Sequence, residues 1–320
     1  EMVEPGRSGW LAAGTDAIAL EAALTSVLSD AGSVAELIRA GAPAQTGRSL
    51  ADEGQIAEAY ARLASSQPRR PPARPVGRPP LVSAVIPYYR SARWVRETVD
   101  SLLEQTYSPI EIVLVNDGSF EDEDWVVAEL AARQGVTVVS TTNSGLGAAR
   151  NFGIAQTRGR YVLPLDSDNT IEPGFVARAV EILERRSEVA YVTSWSLYVD
   201  DGGEPLSGLD VGYEPLGNEA AGLVAVENVA GDAVALIRRR LFDTGFRYSE
   251  ELTSYEDWHF YRELGSAGHF GVVIPERLFR YRVRADSMQS QIAQPNRERL
   301  VGEIDARIRE NAIRWTSSNA

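Results

Sequence analysis

Downstream of residue 80 the apolar positions alternate between two rhythms. "LVSAVIPYY", from Leu81, is a continuous apolar run of the length a buried strand needs. "SARWVRETVDSLLEQTY" then spaces its apolar residues as a helix does, with Ser91 as N-cap and Trp94, Val95, Val99, Leu102 and Leu103 on one face. The strand "IEIVLVNDGS", an acidic helix from about Glu121 to Gln134, the strand "VTVVS", a helix through "GLGAARNFGIAQT" and the strand "YVLPL" follow. Such a β-α-β-α-β-α-β series folds as a parallel, doubly wound sheet with right-handed crossovers. Ligands of that architecture sit outside the carboxyl ends of the strands.

The polar residues fall where that rule wants them. Pro87 to Arg90, Asn116 to Ser119, Asn143 to Gly147 and Asp166 to Asn169 each follow directly on a predicted strand, so all four gather along one sheet edge. The coincidence defines the candidate site, because each motif alone is weak. A D-x-D arises by chance roughly once in a chain with this many aspartates, and "NDGS" is an ordinary turn. "GLGAARNFG" departs from a dinucleotide fingerprint, with Arg150 standing where the third glycine belongs, which sets a dehydrogenase aside.

Before the alternating region lies "SSQPRRPPARPVGRPP", where proline and arginine replace every apolar period and the chain reads as an extended, semi-rigid linker. Upstream of it, "TDAIALEAALTSVLSDAG" reads as a helix capped by Thr15 or Asp16, with Ile18, Ala22, Leu24, Val27 and Leu28 as its apolar stripe. Short helices near Val34 to Arg39 and Ala51 to Leu63 complete a small helical segment.

Composition narrows the chemistry. An apolar fraction of 44% over 320 residues fills the core of one large or two modest domains. All 32 basic residues are arginine, which removes P-loop enzymes and Schiff-base or pyridoxal enzymes, since both need a lysine. A net charge of −13 argues against nucleic acid as a partner. Without cysteine and with only two histidines, thiolate and zinc sites fall away, and any metal is held by oxygen. No apolar stretch reaches the roughly 20 residues that span a bilayer, and no signal peptide opens the chain, so a cytoplasmic location is expected. The first residue, Glu1, suggests a fragment.

Taken together, "VSAVIPYYRSARWVRETVDSLLEQTY", "EIVLVNDGS", "NSGLGAARNFGI", "GRYVLPLDSDN", "YEDWHFYREL" and "FRYRVRADSM" resemble family 2 glycosyltransferases over roughly Leu81 to Met288. The resemblance implies the A-type glycosyltransferase fold, a Rossmann-like, mostly parallel sheet with flanking helices. It also implies a nucleotide-sugar donor, a divalent cation (Mg²⁺ or Mn²⁺) and inversion at the anomeric carbon. The opening "EMVEPGRSGWL" and the helices after it resemble the closing stretch of family 4 glycosyltransferases. The expected organisation is therefore a helical segment 1–65, a linker 66–80, a nucleotide-sugar-binding half 81–200, an acceptor and catalytic-base half 201–290 and a C-terminal helix 291–320.

The resemblance assigns roles that simple physics supports. Asp117, Asp166 and Asp168 would converge on a diphosphate that is itself anionic, and two unit charges 4 Å apart repel by about 4 kcal/mol at an effective dielectric of 20. A hard divalent ion on one or two carboxylates and the phosphate oxygens turns that repulsion into a clamp. Residues two apart on a strand share a face, so Asp166 and Asp168 would address one ligand while Ser167 turns away. By resemblance Asp168 takes the metal and Asp166 lies nearer the ribose and metal waters, while Asn169 stands where the family often has a further Asp. Tyr89 matches the position that packs on the nucleobase, with Pro87 shaping the pocket, and Asp117 matches the acceptor of a base N–H, which favours UDP- or dTDP-type donors. Arg150 forks onto phosphate or base, or else pairs with the acidic run Glu121 to Asp124. The donor-binding set is thus Pro87, Tyr89, Asp117, Arg150, Asp166 and Ser167.

"LTSYEDWHFYREL" supplies the candidate base. Adjacent carboxylates on a helix face different ways. Thr253 and Glu256 have capping-box spacing, leaving Asp257 to deprotonate the acceptor hydroxyl; Ser254 and Asp257 form the competing box. Glu256 and Trp258 are candidate acceptor contacts, Trp258 either stacking on a sugar or lying in the core. His259 reads as a surface residue and His269 as a loop residue, Arg282 or Arg284 as neutralising the leaving diphosphate, and Asp200 and Asp201 as turn chemistry. The acceptor is expected to be a glycan or lipid-linked sugar, with peripheral contact at the inner face of a membrane open to the Arg-rich linker. Residues 201–246 carry no chemical signature. The rival readings are a sugar nucleotidyltransferase, whose glycine-rich loop with lysine is missing from "IPYYRSA", and an inactive glycan-binding module of the same fold.

Overall fold

The structure is a computed structural model and describes residues 78–318 apart from 120–122, 208–211, 219–223, 225–226, 285–286, 288–290 and 293. The helices expected before residue 65 and the linker to residue 77 lie outside the described residues. The expected alternation holds in the first half: β1 (Val82–Tyr88), α1 (Val95–Leu103), β2 (Ile110–Asp117), α2 (Asp124–Ala131), β3 (Val136–Thr141), α3 (Leu146–Ala155) and β4 (Tyr161–Pro164). There follow β5 (Thr170–Ile171), α4 (Phe175–Arg185), β6 (Tyr191–Val199), β7 (Leu236–Arg238), α5 (Arg239–Asp243), α6 (Glu256–Ser266), β8 (Gly271–Arg282) and α7 (Arg297–Ser318).

These strands form one eight-stranded sheet in the order β3-β2-β1-β4-β7-β6-β8-β5. Strands β1 to β4 pair in parallel, as do β6 and β8, while β7 lies antiparallel between β4 and β6 and β5 antiparallel on β8. The sheet continues unbroken across residue 200.

Strand residues alternate between two cores. Val82, Ala84, Ile86 and Tyr88 of β1, with Ile112 and Leu114 of β2, meet Val95, Val99 and Leu102 of α1 and Phe175 and Val176 of α4. Val85, Val113 and Val115 point the other way, toward Ala149 and Ile154 of α3 and Trp258 and Phe260 of α6. Burial on both faces explains why these strands read as continuous apolar runs. Leu103, expected on the buried face of α1, is instead exposed. Leu300 and Ile304 of α7 are buried, and Arg262 of α6 pairs with Asp305. The C-terminal helix therefore packs on this domain through Leu300, Ile304 and Asp305.

Helix α3 can lie close on the sheet because of Gly153. A Cβ there would come 2.5 Å from Val85 Cγ1 and 2.6 Å from Val115 Cγ2, both on buried strands. Overpacking of this kind costs about 1–3 kcal/mol. Gly153→Ala should lower the melting temperature by several degrees, and unchanged melting by calorimetry would contradict this packing.

Candidate active site

The edge at which β1 to β4 end is also the edge at which β7 begins, because β7 runs antiparallel to β4. Strand β6 runs antiparallel beside β7, and β8 runs parallel beside β6, so both end there too. A cleft of about 340 Å³ opens at this edge, and Arg150, Asp166, Asp232, Glu256, Asp257 and Trp258 line it.

The two aspartates of "DSD" do not share a strand face. Strand β4 stops at Pro164, and the Asn169 N–H donates to the Asp166 carbonyl at 3.1 Å to close a turn. Ser167 is buried in that turn, its hydroxyl 2.7 Å from that of Ser91. Ser167 thus holds the turn rather than a donor. Ser91 does not cap α1 either, since that helix starts at Val95 with Trp94 as N-cap and no side-chain cap bond. Asn169 Oδ1 accepts the Arg282 backbone N–H at 2.8 Å and ties the turn to β8.

Each aspartate meets a guanidinium. Arg150 Nη2 lies 2.5 Å from Asp166 Oδ1, and Arg284 Nη2 lies 2.9 Å from Asp168 Oδ2 while stacking 4.3 Å above the Trp94 ring. Burial, then the charge of Asp166, push the Asp168 carboxyl up to about 6 against the pull of Arg284. Negative charge is therefore crowded here, and two hard oxygen donors suit a divalent cation that shares ligand phosphates. Among the described residues no three His, Cys, Asp or Glu side chains group to hold a metal unaided, so the residues fit such a cation only together with a ligand's oxygens.

Arg150 is 1% exposed, and its second ion pair runs from Nη1 to Glu256 Oε1 at 2.5 Å. Its guanidinium also lies 5.2 Å from the Tyr248 ring centre. It neither forks onto open space for a phosphate nor pairs with the acidic run before α2. Burial pulls its pKa down, but the charges of Asp166 and Glu256 outweigh that and keep it charged.

Both expected capping boxes fail at α6. The N-cap is Tyr255, in the left-handed region with φ 61° and without a side-chain cap bond. Glu256 reaches across to Arg150, and Asp257 Oδ1 accepts the Trp258 N–H at 2.7 Å. Starting the helix from this strained turn aims both carboxyls into the cleft. Burial, then the charge of Glu256, lift Asp257 to about 7, with Arg150 opposing. Trp258 resolves as core: it is buried and its Nε1 donates to the Val224 carbonyl at 2.6 Å.

The residues expected to meet a nucleobase, Pro87, Tyr89 and Asp117, are not among those lining this cleft. Tyr89 is 43% exposed, with the Arg90 guanidinium 5.7 Å from its ring centre, and Pro87 is buried within β1. Of the three aspartates expected to converge, Asp166 lines the cleft, whereas Asp168 does not and neither does Asp117. Its oxygens accept the Ser144 and Gly145 backbone N–H groups at 2.9 and 3.1 Å and pin the loop before α3.

Three further expectations are settled by contacts. Arg282 is buried and spent on structure, donating to the carbonyls of Asp168, Asp200 and Asp201 and pairing with Glu97. Of the two arginines considered for the diphosphate, Arg284 alone meets the Asp168 carboxylate. His259 is buried rather than on the surface, and burial, then Arg307 and Arg262, bring it down to about 4, so it is neutral. Asp200 Oδ1 accepts the Gly202 and Glu204 N–H groups, as turn chemistry requires.

Asp232 escaped sequence reasoning. It precedes β7 in "GDAVALIRR", and only the reversed direction of that strand brings it to the site. Tyr198 and Tyr213, from segments with no motif, join it in the cleft, as does Tyr281 of the "FRYRVRADSM" block, a residue without an expected role.

The comparisons with known proteins bear on the fold and the family. Among curated relatives, the uncharacterized glycosyltransferase EpsJ of Bacillus subtilis is 38% identical over 107 residues, 33% of this chain and 31% of that protein. Glycosyltransferase GlyA of Streptococcus pneumoniae is 32% identical over 123 residues, 38% of this chain and 18% of that protein. The chain thus spans a third or less of the length of these relatives. S. aureus TarS 1-349 in complex with UDP-GlcNAc superposes with a TM-score of 0.52 at 21% identity, covering 66% of this chain and 60% of that one. The mannosyltransferase PcManGT from Pyrobaculum calidifontis, in complex with GDP-Man and Mn²⁺, gives 0.52 at 18% identity over 73% of this chain and 65% of that one. These likenesses are of fold, and the fold is the A-type glycosyltransferase fold. The model of the family described as Glycosyl transferase family 2 matches residues 83–246, just over half of the sequence, and the chain belongs to that family.

Proposed function

We propose that this chain is an inverting, metal-dependent glycosyltransferase that moves a sugar from a nucleoside-diphosphate donor to a hydroxyl of a bacterial glycan or glycolipid. The observation that carries the reading is Asp257, a carboxyl on the cleft wall whose burial lifts it to about 7, where a general base is most effective at neutral pH. The acceptor hydroxyl gives its proton to Asp257 as its oxygen bonds to the anomeric carbon. The bond from that carbon to the diphosphate breaks on the opposite face, and the electron pair leaves with the diphosphate.

A divalent cation held by Asp168, with Asp166 beside it, would supply charge neutralisation for that leaving group. Arg284 adds a fixed positive charge against Asp168. Tyr89 offers a half-exposed ring face to the base. A UDP- or dTDP-type donor remains the favoured class, because each Asp117 oxygen keeps a lone pair beyond its amide bond for an imide N–H. The same reading makes residues 1–65 the tail of an upstream family 4 transferase and the site a cytoplasmic one, near the inner face of the membrane. Among the described residues no helix is long and apolar enough to cross a membrane.

The test is release of free nucleoside diphosphate from a panel of UDP-, dTDP- and GDP-sugars with Mn²⁺. At least one uracil or thymine donor should be turned over, and silence across the panel would reject the reading. The metal assignment has its own check. Asp168→Ala should weaken Mn²⁺-dependent UDP binding by about tenfold or more; unchanged affinity by calorimetry removes Asp168 from the metal site.

A further inference from the structure

Part of the cleft is left unused by the chemistry above. Asp232 sits there with a fixed backbone: the Tyr261 hydroxyl donates to its carbonyl at 2.7 Å, and its carboxyl accepts the Val234 N–H. The wall beside it is aromatic. Tyr198 and Tyr281 pack at 5.7 Å, and Tyr213 is pinned by donating to the Asn228 carbonyl at 2.6 Å.

The charges on this wall do not balance. Asp166, Glu227, Asp232, Glu256 and Asp257 face Arg150 and Arg297. Arg150 is committed to Asp166 and Glu256, and Arg297 binds Glu227. Among the described residues no salt bridge reaches Asp232 or Asp257. An anionic group brought here would meet a wall whose acidic side chains outnumber its arginines five to two, in a partly dry cleft where repulsion is several times stronger than in water. Flat apolar faces with a few placed hydrogen-bonding groups suit the C–H faces and hydroxyls of a sugar ring.

We propose that this part of the cleft is an acceptor subsite for an uncharged sugar, in which Asp232 binds one hydroxyl beside the hydroxyl that Asp257 deprotonates. The proposal rests on the transfer reading and names the class of its acceptor. Burial, then the charges of Asp257 and Asp166, raise the Asp232 carboxyl well above its ordinary range and so favour its acid form, with Arg150 opposing. Asp232 therefore donates a hydrogen bond, which asparagine can replace and alanine cannot.

The experiment uses the full chain, Mn²⁺ and whichever nucleotide sugar gives the fastest release of diphosphate. Acceptors are para-nitrophenyl glucoside, galactoside and N-acetylglucosaminide, set against the glucuronide. An uncharged glycoside should be used at least about tenfold better in kcat/KM than the glucuronide. Asp232→Ala should raise the KM for that glycoside about tenfold, and Asp232→Asn should restore most of it. UDP affinity by calorimetry verifies that both variants are folded. Equal or better use of the glucuronide, or diphosphate release with no transfer to any uncharged glycoside, overturns the subsite. An alanine variant with unchanged KM, or an asparagine variant as impaired as alanine, removes Asp232 from it. Absence of diphosphate release from every donor would instead strike the transfer reading itself.

Discussion

Asp257→Asn is expected to lower the transfer rate by about 10²–10⁴-fold, the usual contribution of a positioned base, while UDP affinity stays within a few-fold. Asparagine keeps the oxygen that accepts the Trp258 N–H, so the start of α6 survives and only the proton acceptor is lost. The unmodified chain should show kcat/KM rising with pH and levelling above about 7, because the carboxyl must be ionised to act. Stability should move the other way. The folded carboxyl titrates above its ordinary 3.8, so the folded state holds its proton longer than the unfolded chain does. That contribution is fully present below about 4 and is lost as pH climbs to about 7. A tenfold difference in proton affinity between the folded and unfolded chain is worth about 1.4 kcal/mol. Asp257→Asn should therefore melt several degrees higher than the unmodified chain at pH 8 and show little difference at pH 4. An inactive variant that is also less stable at pH 8 would mean that Asp257 is a structural residue.

What the sequence discloses and what it hides follow one physical division. Strands β1 to β4 are buried on both faces, so their apolar runs announce themselves, and their polar tips fall at one edge whenever the strands are parallel. That is enough to single out Asp166, Asp168 and, through "YEDW", Asp257 as candidates. The misses are all non-local. The "DSD" turn depends on the meeting of Ser167 with Ser91, 76 residues earlier. The start of α6 depends on Tyr255 adopting a left-handed turn, which no capping pattern signals. Asp232 looks like a loop residue before a strand until that strand is known to run antiparallel between β4 and β6. His259 lies four residues from Glu263 on a helix that reads as half polar, yet it is buried, with Arg307 of α7 and Arg262 close enough to lower its pKa.

Arg150→Met is expected to produce the largest loss of stability. The guanidinium links two elements distant in the chain, the turn after β4 through Asp166 and the start of α6 through Glu256, while its own stem lies on α3. Removing one partner of a buried pair costs about 3–5 kcal/mol, because the charge left behind keeps its desolvation penalty. Here two carboxylates are stranded, in a cleft that already holds Asp232 and Asp257. At roughly 2–4 °C per kcal/mol for a domain of this size, melting should fall by about 10 °C. Arg150→Lys should recover only part of this, since an ammonium cannot hold two carboxylates as a fork does. Combining Arg150→Met with Glu256→Gln should recover more, because the second change removes a stranded charge, and the double-mutant cycle measures that coupling. Arg150 also opposes the upward shift of Asp257. Its loss should therefore carry the acidic limb of the activity profile to higher pH as well as lower the melting temperature. A stable Arg150→Met enzyme with an unmoved limb would show that the cleft tolerates its carboxylates without this cation, and the electrostatic account of the site would fail with it.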